Sequence, residues 1–258
     1  MSPDVNDVFF EVRNLTLNFG GIVALGDVSF SVAEGHTLGV VGPNGAGKTT
    51  LLNCIMRVYR YRQGEVTLRG KSLARLSIHQ VSGLGIGRTF QGADYFEDFT
   101  AGDFVLLSRM NMQRTGLMSC ALGLPSVRKS ERQERKLAAE FLGRFGLESI
   151  TNTPLKSLPY GTRKVLDIVR VMLAQPQLLL LDEPTSGTTA EDRQSLVKVL
   201  DAVKEAGLTS IVVDHDVKFV SVISKEILVM SSGQVLAVGE PAEVLSRPDV
   251  IQAYIGGE

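Results

Sequence analysis

The chain opens on alternating apolar and polar positions, Phe9-Phe10-Glu11-Val12, then Leu15-Thr16-Leu17-Asn18-Phe19, then Val28-Ser29-Phe30-Ser31-Val32, each with the period of a half-buried strand. Thr37-Leu38-Gly39-Val40-Val41 is instead continuously apolar, and Thr50-Leu51-Leu52-Asn53-Cys54-Ile55-Met56 suits a buried helix. Gly64 to Gly70 encloses a further strand between turn glycines, so the N-terminal part is expected to carry an antiparallel sheet beside a parallel one. From Asp103 the character changes: Ser130 to Gly146 is charged, with Leu137, Phe141, Leu142 and Phe145 at helical spacing. This predicts a mainly helical subdomain over 96–160, left by way of Pro154 and Pro159, before Val165 to Leu173 resume as an apolar helix.

Past Pro176 the pattern becomes strand, helix, strand: Leu178 to Leu181, Ala190 to Ala206, then Leu208 to Val213. Continuous apolar strands separated by helices indicate a parallel sheet covered on both faces. Glu226 to Met230 and Val235 to Val238 flank a Ser232-Gly233 turn, and short helices follow Pro241 and Pro248. The expectation is a single α/β domain over 7–258, with 7–95 and 160–258 forming the core.

Composition narrows the class. A chain of 258 residues, 44% hydrophobic, can bury a large core. A net charge of −1 argues against a nucleic-acid surface, which is ordinarily strongly basic. No apolar run approaches the ~18–20 residues needed to cross a bilayer, and Met1 to Asp7 do not read as a signal peptide, so an intracellular location is expected. The two cysteines, Cys54 and Cys120, form no metal-ligand spacing and read as packed hydrophobes.

Chemistry enters at Gly42-Pro43-Asn44-Gly45-Ala46-Gly47-Lys48-Thr49, a complete GxxxxGK[ST] phosphate loop between an apolar strand and a helix. Glycines let backbone N–H groups turn inward as an anion nest, and the helix N-terminus at Thr49 and Thr50 adds a favourable partial charge. Lys48 is expected to reach the outer phosphates, and the Thr49 hydroxyl to bind Mg²⁺. Leu178 to Leu181 ends in Asp182-Glu183, at the carboxyl end of a strand where open α/β sheets place ligand chemistry. Asp182 is read as holding the Mg²⁺ shell and Glu183 as the base that polarises the attacking water. His215, one of three histidines, follows Ile211-Val212-Val213-Asp214 and is placed to contact a γ-phosphate.

These residues together resemble the ATP-binding subunits of ABC transporters over nearly the whole chain. Phe19 matches the aromatic that stacks on adenine, and Gln91 in Arg88-Thr89-Phe90-Gln91 matches the Q-loop glutamine that contacts Mg²⁺ and water. Leu158-Pro159-Tyr160-Gly161-Thr162 falls where the signature LSGGQ sits, and Asp182, Glu183 and His215 match the strand-end acids and switch histidine. The resemblance implies a RecA-like P-loop NTPase core with an antiparallel β subdomain and a helical subdomain. It implies an enzyme hydrolysing ATP with Mg²⁺ at the inner face of the cell membrane. The expected partners are a second ATPase subunit, transmembrane permease subunits and, indirectly, an extracytoplasmic substrate-binding protein. The permease surface is expected near Gln91 and Gly92 to Phe99.

Within the family the chain is most similar to the larger ATPase subunit of branched-chain (hydrophobic) amino-acid importers. The residues concerned are Asn18 to Leu25, Arg88 to Gln91, the insert around Thr115-Gly116-Leu117, and the tail from Gly239-Glu240-Pro241 through Pro248 to Gly256. Importers of urea, amides or aromatic acids share the pattern, and a soluble ABC-type ATPase acting on nucleic acid is the competing class. Two departures stand out. Pro159 replaces the signature serine and Thr162 its glutamine, while Ser186-Gly187-Thr188-Thr189 lacks the D-loop's terminal Asp or Asn. These leave two readings: an asymmetric heterodimer with one slow nucleotide site, or a site for which Tyr160, Gly161 and the following helix dipole suffice.

Overall fold

The computed structural model describes residues 8–89, 96–109 and 125–255, with side chains described for none of 125–131 nor for 255. Gln91, Gly92 to Tyr95, Thr115 to Leu117, Cys120 and Gly256 lie outside the described residues. The chain divides into two compact units, Met1–Arg88 with Gln177–Ser186 and Leu200–Glu258, and Thr89–Pro176 with Gly187–Val199.

In the first unit, β1 (Val8–Phe19), β2 (Ile22–Ala33), β4 (Gln63–Leu68) and β5 (Lys71–Ser72) form an antiparallel sheet in the order β2-β1-β4-β5. The two short alternating runs either side of Asn14 are one strand. Asn14 and Asp27 adopt positive φ, 48° and 58°, and the ladder shifts register between Val12 and Leu15. The irregular stretch is held by side chains: Asn14 Nδ2 donates to Asp27 Oδ1 at 2.6 Å, and the Asp27 N–H donates to Thr16 Oγ1 at 3.0 Å. Short polar side chains tolerate the left-handed region and bond locally, which is why Asn and Asp stand there.

The second sheet has six strands in the order β10-β9-β3-β8-β7-β6. These are β3 (Thr37–Val41), β6 (Ile86–Arg88), β7 (Leu178–Asp182), β8 (Thr209–Val213), β9 (Glu226–Ser231) and β10 (Gln234–Gly239). All neighbours are parallel except β10, which pairs antiparallel with β9 at one edge. Every residue of β3, β7 and β8 is buried, as expected of parallel strands covered on both faces. Register aligns the strand ends. Val40 pairs with Val213, and Val213 with Asp182, so the carboxyl ends of three strands finish level.

One continuous apolar core runs through this unit, including Phe10, Leu15 and Leu25 of the antiparallel sheet, Leu51, Leu52 and Ile55 of α1 (Lys48–Ile55), and Leu180 and Ile211 of the parallel sheet. Each such side chain contributes about 1.5–3 kcal/mol when fully buried. Helix α2 (Ile78–Gly83) begins at a capping box in which Ser77 and Gln80 exchange side-chain bonds with each other's backbone.

The second unit is built on α3 (Ala101–Leu106), α4 (Pro125–Gly143) and α5 (Tyr160–Leu173), with α3 packing on both of the others. Phe104, Val105, Leu142, Leu166 and Val169 are fully buried there. A buried ion pair, Arg170 to Asp167 at 2.7 Å, lies within α5, and the Arg170 guanidinium also covers the Phe104 ring at 5.6 Å. Helix α6 (Ala190–Glu205) follows β7, and α7 (Val217–Ile223), α8 (Pro241–Leu245) and α9 (Pro248–Ile255) complete the chain.

Candidate functional site

The loop between β3 and α1 is shaped by its glycines and braced from two directions. Gly42, Gly45 and Gly47 have φ of 151°, 81° and 97°. A Cβ at Gly42 would lie 2.1 Å from the Met230 carbonyl oxygen, and one at Gly47 would lie 2.8 Å from that of Ala24. The turn between β9 and β10 is the brace: Gly233 N–H donates to the Ala46 carbonyl at 3.1 Å, and the Gly26 N–H donates to the Gly233 carbonyl at 2.9 Å. Asn44 and Gly45 at the loop tip are exposed, Pro43, Thr49 and Thr50 are half-buried, and Ala46 is buried.

The N-cap of α1 is Gly47, which makes no side-chain cap bond, and its first turn holds no acidic residue. Its first N–H groups therefore face outward without an intrachain anion from a cap, which is the arrangement that receives phosphate. Lys48 is buried, and its Nζ donates to the carbonyls of Gly42 at 2.7 Å and Pro43 at 2.9 Å. Burial pulls the Lys48 ammonium below its ordinary 10.5, while the carboxylates of Glu183, Asp214 and Asp182 act to raise it. The loop thus carries a desolvated cation within electrostatic reach of three acids, each of which favours its charged form.

The acids sit where the level strand ends put them. Asp182 closes β7 with its carboxylate buried, and its Oδ2 accepts from Arg88 Nη2 at 2.6 Å. Glu183 adopts φ 48° directly before Pro184, with its N–H bonded to the Val213 carbonyl at 2.8 Å and its own carbonyl accepting from Ser186 N–H at 3.2 Å. A left-handed non-glycine residue before proline is costly, and such strain gathers at functional positions. Asp214 is fully buried and accepts the Thr185 hydroxyl at 2.7 Å, the Thr185 N–H at 2.9 Å and the Asp216 N–H at 3.0 Å. His215 is exposed, with Nδ1 3.4 Å from Asp214 Oδ1. Asp216 in turn caps α7 by accepting the Phe219 N–H at 3.0 Å.

Phe19, at the end of β1, is about half exposed and meets the Tyr59 ring edge to face at 5.1 Å. In the second unit, Pro159 is the N-cap of α5 with no side-chain cap bond, and Tyr160 begins the helix. A Cβ at Gly161 would fall 2.0 Å from the Asp192 carboxylate carbon, and one at Gly187 would fall 3.0 Å from the Tyr160 ring. The Thr189 N–H and hydroxyl both donate to Asp192 Oδ2 at 2.9 Å, and the Asp192 N–H donates back to Thr189 Oγ1 at 3.2 Å. Thr189 therefore caps its own helix.

Lys48, Thr49, Asp182, Glu183 and His215 belong to the first unit, Tyr160 and Gly161 to the second. Sequence reasoning passes over Arg88 as a side chain, together with Asp214, Thr185, Tyr59 and Gly233. Only Asp214 carries a local signal, as one of the two acids flanking His215. The donors available near the loop, a hydroxyl at Thr49 and a carboxylate at Asp182, are the hard oxygen ligands that Mg²⁺ takes, usually one or two from protein with phosphate oxygens completing the shell. Among the described residues no cluster of three or more His, Cys, Asp or Glu forms a metal cage, and no helix is long and apolar enough to cross a membrane.

Comparison with known proteins agrees with this geometry. The family described as ABC transporter matches residues 25–186, and that described as branched-chain amino acid ATP-binding cassette transporter matches 234–258. The high-affinity branched-chain amino acid transport ATP-binding protein LivG of Salmonella typhimurium (strain LT2) is 36% identical over 246 residues, 95% of this chain and 96% of that protein. The corresponding protein BraF of Pseudomonas aeruginosa is 34% identical over 247 residues, 95% of this chain and 97% of that protein. Among solved structures, an ATP-binding cassette of an ABC transporter in its ADP conformation has a TM-score of 0.84 at 27% identity, covering 97% of this chain and 99% of that one. With a phosphate loop, level strand-end acids and matches of this extent, the chain belongs to the ABC transporter family and is one of its ATPases.

Proposed function

We propose that this ATPase energises import of branched-chain (hydrophobic) amino acids through a membrane permease. The observation that carries the catalytic part is the register that brings Asp182, Glu183 and Asp214-His215 level with the end of β3, from which the phosphate loop leads to Lys48 at the start of α1. The cargo part is supported by the match over 234–258 and by the names of the relatives.

In this reading the backbone of Gly42, Pro43, Asn44, Gly45, Ala46 and Gly47, with Thr49 and Thr50, holds the phosphates, and Phe19 stacks on adenine. Lys48 exchanges its carbonyl partners for phosphate oxygens and neutralises charge developing on them. Glu183 takes a proton from the attacking water, and His215 orients that water against the γ-phosphate. Thr49, Asp182 and Gln91 would hold Mg²⁺, which when bound supplies positive charge across the outer phosphate oxygens.

A second ATPase subunit presents the opposing signature segment, and this chain's Tyr160 and Gly161 face the partner's nucleotide. The permease and, through it, an extracytoplasmic binding protein complete the assembly, with this chain peripheral on the cytoplasmic face of the membrane. Calorimetry of the purified chain with MgATP tests the site, and absence of binding heat from folded material overturns the reading. Turnover that rises with permease-containing membranes and ignores DNA or RNA is expected. Leucine-dependent stimulation in the reconstituted complex tests the cargo, and stimulation by urea or amides alone would reassign it.

A further inference from the structure

We infer that Arg88 is a positioning residue that fixes the orientation of the Asp182 carboxylate and thereby sets how tightly the divalent cation accompanying ATP is held. The inference rests on the reading of Asp182 as a ligand of that cation.

Arg88 ends β6, the edge strand, and pairs with Leu180 of β7. Side chains two apart on a strand share a face, so Asp182 stands on the same face as Leu180, one diagonal step from Arg88. The guanidinium spans that step and one more. Nη2 donates to Asp182 Oδ2 at 2.6 Å, and Nη1 donates to Asn53 Oδ1 at 2.7 Å on α1, the helix that begins at Lys48. The Arg88 side chain is 15% exposed and that of Asp182 is fully buried.

A charge-assisted bond of this length is among the stronger kinds, and a planar fork holds its acceptors in direction as well as distance. Lys48 does not substitute, because its ammonium is engaged by the carbonyls of Gly42 and Pro43 here and, in the reading above, by phosphate oxygens once nucleotide is bound. A lysine at position 88 could not reproduce a rigid two-ended bridge, since its charge is a single point on a flexible stem. Arg88 thus ties the strand-end acid to the phosphate-loop helix, and the angle at which the remaining carboxylate lone pairs are offered depends on both ends of the tie. Groups that orient a metal ligand from behind typically change metal affinity or activity by about 10–100-fold when removed.

The test is a Mg²⁺ titration of ATPase turnover at saturating ATP, together with electron paramagnetic resonance of Mn²⁺ on the nucleotide-bound protein, for wild type, Arg88→Gln, Arg88→Lys, Asn53→Ala and Asp182→Asn. Arg88→Gln is expected to raise the half-saturating Mg²⁺ by about 10–100-fold, with kcat at saturating Mg²⁺ changing less, and to weaken Mn²⁺ binding in parallel. Arg88→Lys, keeping one contact, and Asn53→Ala, freeing one end, are expected to give smaller shifts in the same direction. A lowered Mg²⁺ requirement in Arg88→Gln would make Arg88 a competitor of the cation and overturn the inference. If Arg88→Gln does not fold, an unchanged requirement in both Arg88→Lys and Asn53→Ala overturns it equally. Asp182→Asn separates the two readings. A raised requirement there with none in the Arg88 and Asn53 variants sinks the positioning role alone, whereas no change in Asp182→Asn sinks the ligand assignment beneath it.

Discussion

Gly42 and Gly45 both have positive φ, yet their surroundings make them unequal. At Gly42 an added methyl meets the Met230 carbonyl at 2.1 Å, whereas at Gly45 it meets nothing within 4 Å. Gly42→Ala must displace backbone and is expected to abolish MgATP binding, while Gly45→Ala meets only the left-handed penalty of about 1–2 kcal/mol and retains weakened binding by calorimetry. In the proposed site Lys48→Ala would remove a charge-assisted phosphate contact of about 1.5–3 kcal/mol, so its nucleotide affinity should fall by about 10–100-fold. Glu183→Gln preserves that affinity and lowers turnover by about 10²–10⁴ if the base assignment holds; normal hydrolysis in this variant rejects the assignment. Lys48 also makes stability depend on pH. Because burial lowers it below 10.5, the unfolded chain binds more protons between the folded value and 10.5, so the nucleotide-free protein gains stability as pH rises through that window. Denaturant midpoints of wild type relative to Lys48→Met should move in favour of wild type toward pH 10.5, and a difference that stays flat would contradict the sign.

Elements are most legible where their signals are local. The phosphate loop is one contiguous run, the apolar runs of β3, β7 and β8 announce a buried parallel sheet, and Ala190 to Ala206 matches α6 to within a residue. Helices α2 and α3 escape a reading by periodicity, although Ser77 with Gln80 and Thr100 with Asp103 carry readable start signals. The strand β6 is three residues long, too short for alternation to register. Arg88 could not be assigned from sequence at all, because its partners lie 35 and 94 residues away and meet it only through sheet pairing. Helix ends yield two stability predictions. Thr189→Ala removes the α6 cap and is expected to cost about 1 kcal/mol, read from denaturant unfolding. Exposed Gln175, after the C-cap of α5, sits at φ 52°. Glycine there relieves about 1–2 kcal/mol of left-handed strain against about 0.4–1 kcal/mol of added unfolded-state freedom. Gln175→Gly should therefore stabilise the protein by about 0.5–1 kcal/mol in the same assay.

At the scale of the whole molecule, the proposed pairing would leave the two halves of the ATPase chemistry unequally equipped. The loop, both strand-end acids and the histidine are intact in the first unit. In the second unit Pro159 offers α5 neither a hydroxyl nor an N–H, and the Asp192 carboxylate lies against Gly161, where its charge would oppose a phosphate brought there in the proposed pairing. Thr189 turns its hydroxyl onto Asp192 of its own helix. In the proposed head-to-tail pair each nucleotide would use one subunit's loop and the other's signature, so this chain's loop would work against a sound partner signature while the partner's loop would meet the altered one. Steady-state turnover of the complex should then fall by about 10²–10⁴ with Glu183→Gln here, and far less with the equivalent change in the partner. Equal losses from the two would show that Tyr160, Gly161 and the α5 dipole suffice, and the asymmetry would be abandoned.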